Sequence, residues 1–208
     1  MNARLVIGIA GGSGSGKSSL VEHLKHGTMG ASIAIVPHDA YYLSAVDIPP
    51  ALRAAGDWDH PDALDNELLA AHIELLTSGV PIDIPVYDFA TSSRTSRTVR
   101  IEPRPVVIVE GILVAAVERI RSLCELVVFV DASPEERLAR RILRDTVQRG
   151  RSVESVIQQF RATARPAHDS RIEPSRRHAH VVVPWEGENA SSPAVAMLEG
   201  YIAHVSGR

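Results

Sequence analysis

Two kinds of apolar pattern alternate along the chain. Leu5-Val6-Ile7-Gly8-Ile9-Ala10 is a continuous apolar run that ends in glycines, and it predicts a buried strand. Ser32 to Val36, closed by Pro37, predicts a second. Val106 to Val109 and Leu126 to Val130 are also unbroken, and Val181 to Val183 is a shorter last run. Runs without polar alternation fit the central strands of a parallel sheet covered on both faces. Ile82 to Phe89 and Thr95 to Glu102 instead alternate apolar and polar positions, which predicts an exposed antiparallel hairpin at about 82–102.

Helical spacing fills the intervals. A helix is expected from Lys17 through Leu20, Val21 and Leu24, stopping near Gly27. Another is expected over Asp65 to Leu76, with Gly79 as its stop and Asp62 and Asp65 as acids at its N-terminal end. Val114 to Leu123 is helix-like, and Pro134 to Gln148 and Val153 to Ala164 predict two more helices, the first strongly basic. Ala194 to His204 closes the chain. Residues 40–60 are rich in breakers and read as a long functional loop. Strands alternating with helices predict an α/β fold with a parallel sheet and right-handed crossovers. No repeat, low-complexity stretch or linker divides the chain, so residues 1–208 read as one domain.

The turn between the first strand and the first helix carries the chemistry. Gly11-Gly12-Ser13-Gly14-Ser15-Gly16-Lys17-Ser18 matches GxxxxGK[ST] between a strand and a helix, as a phosphate-binding loop requires. Glycines let backbone N–H groups converge on an oxygen-rich anion, and the helix N-terminus, which continues into Ser19, adds unpaired N–H groups. Lys17 would bridge the β- and γ-phosphates, and the Ser18 hydroxyl would ligate Mg²⁺. The guanine-reading NKxD sequence of a GTPase is absent. Motor and helicase ATPases generally need larger chains. A kinase for a small acceptor fits best.

Composition narrows the field. The chain has 208 residues, 45% of them hydrophobic and 23% charged, enough for a full core. Its net charge of −3 argues against a general nucleic-acid binder. The single cysteine, Cys124, rules out an internal disulfide and reads as a structural thiol. No stretch approaches the roughly 18 apolar residues of a membrane span, and Gly8 to Gly16 interrupts any signal-peptide core, so the expected location is the cytoplasm.

Eight segments occur in order: GGSGSGKSS, HDAYY, WDHPDALD, IPVYDFATSSR, VIVEGIL, RLARRILRD, QRGRS and FRATARP. Through them the chain, from about Leu5 to Asn189, resembles the phosphoribulokinase/uridine kinase family. The resemblance implies a P-loop NTPase-type sheet flanked by helices, a hairpin over the acceptor site, and a helical, arginine-rich lid at about 137–165. It implies Mg²⁺-dependent transfer of the ATP γ-phosphate to the 5′-hydroxyl of uridine or cytidine, as in pyrimidine salvage, and a homotetramer. Another nucleoside or small alcohol as acceptor, and a nucleotide-binding regulator without catalysis, are the rival readings.

The resemblance also implies roles. Asp39, in HDAYY, matches the general base for the acceptor hydroxyl and a second holder of Mg²⁺. Its place just past a parallel strand is where ligands bind in open α/β sheets, although a helix N-cap is the plain alternative. Asp59 matches the carboxylate that accepts both ribose hydroxyls, and Glu110 the Mg²⁺-organising acid after the third sheet strand. Gly111 would allow close packing there, and His60 reads as structural. Arg141, Arg151 and Gln159 match nucleoside contacts, while Arg144 and Arg149 match phosphate-facing residues. Arg137 and Arg140 read as a solvated basic face. Tyr87 and Phe89 match residues that flank the pyrimidine.

The chain departs from the family pattern twice. Ser92 stands where the family usually has a base-reading histidine, which leaves base specificity open. Trp185-Glu186-Gly187-Glu188 replaces an arginine-glycine pair beside the donor. Trp185 either stacks on a purine or covers the sheet edge, Glu188 is a donor-side candidate, and the choice between ATP and GTP stays open.

Overall fold

The computed structural model describes residues 3–27, 30–186 and 192–206. Five parallel strands form the central sheet: β1 Leu5–Ala10, β2 Ile33–Pro37, β5 Val106–Glu110, β6 Leu126–Asp131 and β7 Val181–Pro184. Their spatial order is β2-β5-β1-β6-β7. The unbroken apolar runs are accounted for by burial on both faces. Every residue of β1 is buried, and Val106 to Val109 are fully enclosed. Each apolar strand face meets its own core, Val6, Val107, Val109 and Phe129 on one side and Ile7, Ile9, Ile108 and Val128 on the other.

The first core is closed by helix α3, Asn66–Thr77, through Leu69, Ile73 and Leu76. Asp65 caps this helix by accepting the Leu68 N–H at 3.1 Å, so its reading as an N-terminal acid holds. The second core is closed by α1, Lys17–His26, and by the C-terminal helix Pro193–Ser206. The alternating segments pair as the antiparallel hairpin β3 Ile82–Asp88 and β4 Ser93–Ile101.

Four expectations need correction. The segment 40–60 is not all loop. It holds helix α2, Pro50–Ala55, which starts on a proline and stops at Gly56 with φ 63°. The helix expected over Val114 to Leu123 shrinks to the single turn α4, Glu118–Arg121. Ser32 lies in a 3₁₀ turn rather than in β2. Of the two basic-region helices, α5 spans Pro134–Gln148 as expected, but α6, Val153–Gln159, does not end the second. The helical path continues through π turns at Phe160–Ala164 and His168–Ile172 to Ser175. Each π turn ends two residues before a proline, Pro166 or Pro174. A widened turn spares the proline ring its clash with the carbonyl one turn back, so the helix survives both breakers.

Cys124 is half-buried, donates weakly to the Ile120 carbonyl, and burial pushes its thiol up to about 12. Among the described residues no helix is long and apolar enough to cross a membrane.

Candidate active site

Three strand ends converge at the carboxyl edge of the sheet. The glycine loop leaves β1, the 3₁₀ turn His38–Tyr41 leaves β2, and Glu110 ends β5 beside both. Gly16, at φ 101°, is the pivot from loop to helix α1. A Cβ there would stand 2.2 Å from the Trp185 ring, so the loop lies directly on that indole. Lys17 is buried and donates to the Gly12 carbonyl at 3.0 Å. Burial lowers its pKa, against the pull of Glu110 and Asp39.

Trp185 is buried in the core beneath the loop, which decides its role as a cover rather than an exposed stacking surface. Arg140 crosses under the same loop. It donates to the Ser15 carbonyl at 3.0 Å, to Gly14 at 3.4 Å and to Trp185 at 3.0 Å. Arg137 is only 2% exposed and packs against Gly12 and over the Phe160 ring, 5.9 Å from its centroid. The reading of Arg137 and Arg140 as a solvated basic face is therefore wrong. Their partners are loop carbonyls and a ring distant in sequence, which helix periodicity does not reveal.

The Ser18 hydroxyl donates to the Glu110 carboxylate at 3.2 and 3.3 Å. Burial raises the Glu110 pKa, while Lys17 opposes the rise. A hydroxyl and a desolvated carboxylate, close together and beside an anion-binding loop, form a hard oxygen donor set that fits Mg²⁺. That ion needs few protein ligands, since water and phosphate complete its shell. Among the described residues no cluster of three His, Cys, Asp or Glu side chains forms a cage of its own. Gly111 lets the chain pass the His38 side chain, whose Cβ would lie 2.4 Å from an added methyl.

Beside the loop opens a cavity of about 820 Å³. All seven residues expected on the acceptor side line it: Asp59, Tyr87, Phe89, Ser92, Arg141, Arg151 and Gln159. So do Asp39, Arg144, Arg149 and, from the phosphate loop, Ser13. One wall is aromatic. Tyr87 and Phe89 meet edge to face at 5.0 Å, Tyr42 packs against Tyr87 at 5.4 Å, and Arg149 sits 4.5 Å over the Phe89 ring. The opposite wall is cationic. Arg141 donates to Ser13 Oγ at 2.6 Å and to Gln159 Oε1 at 3.0 Å, and Arg151 donates to the same Gln159 oxygen. Burial lifts Asp59 to about 6, with Arg141 opposing and Asp39 and Asp57 adding to the rise. Lys17, Ser18 and Glu110 lie on the loop side, outside the cavity lining. Ser19 is exposed on α1, and Glu188 lies outside the described residues.

Several contributors lay beyond the sequence reading. Tyr42 and Trp58 line the cavity, and the repeated tyrosine of HDAYY and the tryptophan of WDHPD were their only signals. Arg94 donates to the carbonyls of Tyr41 and Tyr42, both at 2.8 Å, and pairs with Asp65 at 3.2 Å, tying the hairpin to the β2 turn. Asp145, fully enclosed, gathers the arginines.

A family model, Phosphoribulokinase / Uridine kinase family, matches residues 6–192. The chain belongs to this family. A protein of Chloroflexus aurantiacus named uridine kinase is 46% identical over 197 residues, 94% of each chain. One of Staphylococcus carnosus with the same name is 40% identical over 189 residues, 91% of each. The phosphoribulokinase from Rhodobacter spheroides superposes with a TM-score of 0.63 at 18% identity, covering 86% of this chain and 69% of that one, a likeness of fold. For a phosphoribulokinase/uridine kinase family member, the expected α/β architecture with a parallel sheet flanked by helices is the one observed.

Proposed function

We propose that this chain transfers the γ-phosphate of ATP to the 5′-hydroxyl of uridine, and of cytidine, giving UMP or CMP. The observation that carries the reading is the single cavity bounded by Asp39, Asp59, the aromatic wall and the arginine wall, opening onto Ser13 of the phosphate loop. A nucleoside matches that lining piece by piece. The base fits against the aromatic wall of Tyr42, Tyr87 and Phe89, the vicinal diol offers two hydrogen bonds to Asp59, and the 5′-hydroxyl comes to Asp39. Relatives named uridine kinase, 40–46% identical over nearly the whole chain, support the same assignment.

In this reading the loop amides and Lys17 hold the triphosphate. Ser18 and Glu110, with Asp39 near, are the residues that would hold Mg²⁺, which supplies charge neutralisation at the phosphates. Asp39 accepts the proton of the 5′-hydroxyl as its oxygen forms the new bond to the γ-phosphorus. The bond from that phosphorus to the bridging oxygen breaks, and its electron pair leaves with ADP. Arg144 and Arg149 face the charge of the transferring group, and the helical lid of α5 and α6 excludes water that would otherwise take the phosphate. A homotetramer is the assembly proposed by resemblance.

A second reading keeps the reaction and changes the acceptor. Ser92 lies at the cavity edge with φ 51°, and its short side chain leaves the base end of the site less specified than a histidine would. One assay decides between the readings: turnover with ATP and with GTP over uridine, cytidine, purine nucleosides, pantothenate and ribulose 5-phosphate. Uridine and cytidine at the highest kcat/KM carry the proposal. A higher value for any other acceptor replaces it, and no turnover with any of them leaves a regulator.

A further inference from the structure

Arg171 belongs to no motif and does not line the cavity. It stands in the second π turn, His168–Ile172. Its guanidinium is forked onto Asp57, with Nη1 donating to Oδ1 at 2.9 Å and Nη2 to Oδ2 at 2.6 Å. Nη1 also reaches the Asp59 carbonyl oxygen at 3.5 Å. Less than a third of either side chain of the Arg171–Asp57 pair is exposed. A two-point, charge-assisted contact of this kind fixes direction as well as distance, which a lysine in the same place would not do.

Both ends of the clamp are anchored. On the acceptor side, the Asp57 N–H donates to the Leu52 carbonyl at 3.0 Å, where the chain leaves α2. Trp58, between the two aspartates, packs on the core and lines the cavity. On the helical side, Ile172 is fully buried next to Arg171. His168, three residues earlier, lies against Gly12, its Nδ1 2.9 Å from where a Cβ would stand. Within this turn Ile172 is buried in the core while Arg171 reaches the Asp57–Asp59 segment.

We propose that Arg171 is a positioning residue for the acceptor: by clamping Asp57 and the Asp59 carbonyl it fixes how the Asp59 carboxylate projects into the cavity. The inference rests on the reading of Asp59 as the group that binds the acceptor's diol. The phosphate loop is braced separately by Arg140, so loss of the clamp acts on one substrate and spares the other.

The test is steady-state kinetics on the full-length protein, with uridine and ATP varied in turn. Arg171→Ala is expected to raise the uridine KM by about 10- to 100-fold while kcat and the ATP KM stay within about twofold. Asp57→Ala is expected to do the same, and the double variant to be no worse than either single one, since both remove one contact. Arg171→Lys keeps the charge without the fork and falls between, and it alone decides if the alanine variant does not fold. A folded variant whose uridine KM is unchanged overturns the proposal. So do equal rises in both KM values, or single effects that multiply in the double variant. A wild-type protein that phosphorylates no nucleoside removes the Asp59 reading and this clamp together. An active wild type with an indifferent Arg171 removes the clamp only.

Discussion

Arg144 donates its Nε–H to Oδ1 of Asp145 at 2.8 Å, although the two residues are neighbours in sequence. The same carboxylate, without solvent exposure, lies 3.6 Å from Arg149, 3.9 Å from Arg151 and 4.0 Å from Arg141. Burial works to raise the Asp145 pKa. The Arg144 hydrogen bond and the charges of Arg144, Arg149 and Arg141 outweigh it, so the group sits below the usual carboxylate range. One anion thus holds four cations that face a single cavity. Asp145→Asn keeps the shape and removes the charge that gathers them. It is expected to lower kcat/KM for the nucleoside by about 10- to 100-fold, with the ATP KM little changed. Initial-rate kinetics check this, and a variant that matches wild type shows that the arginines hold their places unaided.

Asp39 follows β2 within the 3₁₀ turn His38–Tyr41, and its neighbour His38 is fixed by a 2.9 Å hydrogen bond to Asn66. The carboxylate therefore rests on an anchored turn at the mouth between cavity and phosphate loop. Asp39→Asn can still orient a hydroxyl but cannot take its proton. It is expected to reduce kcat by at least ~100-fold while nucleotide affinity survives. Rapid-quench turnover together with equilibrium ATP binding separates the two. Undiminished turnover would take the base role from Asp39.

Arg140 donates to the main-chain carbonyls of Gly14, Ser15 and Trp185 and pairs with Glu136 one turn earlier at 2.8 Å. It is part of the mould that keeps the loop concave towards phosphate. Arg140→Ala is expected to raise the ATP KM by about 10-fold and to leave the nucleoside KM within about twofold. This is the mirror image of the split expected from Arg171, and the same kinetic grid reads both. Equal effects on both substrates would make Arg140 a general stability residue, visible as a matching loss in thermal midpoint.

What the sequence made legible is what local pattern controls. The phosphate loop is a contiguous motif, and the five sheet strands are unbroken apolar runs, so both were found with boundaries within a residue or two. The candidate acceptor residues came from resemblance, and one cavity is lined by all of them. The missed features share a cause. Arg137, Arg140 and Arg171 each owe their position to a partner 100 or more residues away in sequence, such as Gly12, Ser15 or Asp57. Nothing in an arginine's own neighbourhood distinguishes a brace from a solvated charge. The helical path beyond Ala164 was missed because Pro166 reads as a stop, and only a π turn, which has no sequence period of its own, lets it continue. Helix α2 was hidden because its prolines and Gly56 read as breakers, when one proline opens the helix and the glycine ends it.

Asp59 gives the sharpest pH signature. Burial raises its pKa to about 6, against an ordinary 3.8 in the unfolded chain. The carboxylate must be ionised to accept both hydroxyls of a diol. The nucleoside kcat/KM is therefore expected to fall below about pH 6 with a slope of one proton, while the ATP KM stays flat. The stability effect has the opposite sign from that of an ordinary carboxylate. Between pH 3.8 and 6 the folded protein binds the extra proton, so this group's contribution to stability declines as pH rises through that window and stays low above it. Asp59→Asn removes the buried charge. It should raise the denaturant midpoint at pH 8 by the equivalent of about 1–3 kcal/mol, with little gain at pH 4, even as nucleoside binding is lost. Chemical denaturation of both proteins at the two pH values measures this, and an aspartate that stabilises the fold more at pH 8 than at pH 4 would contradict a desolvated carboxylate lining the cavity.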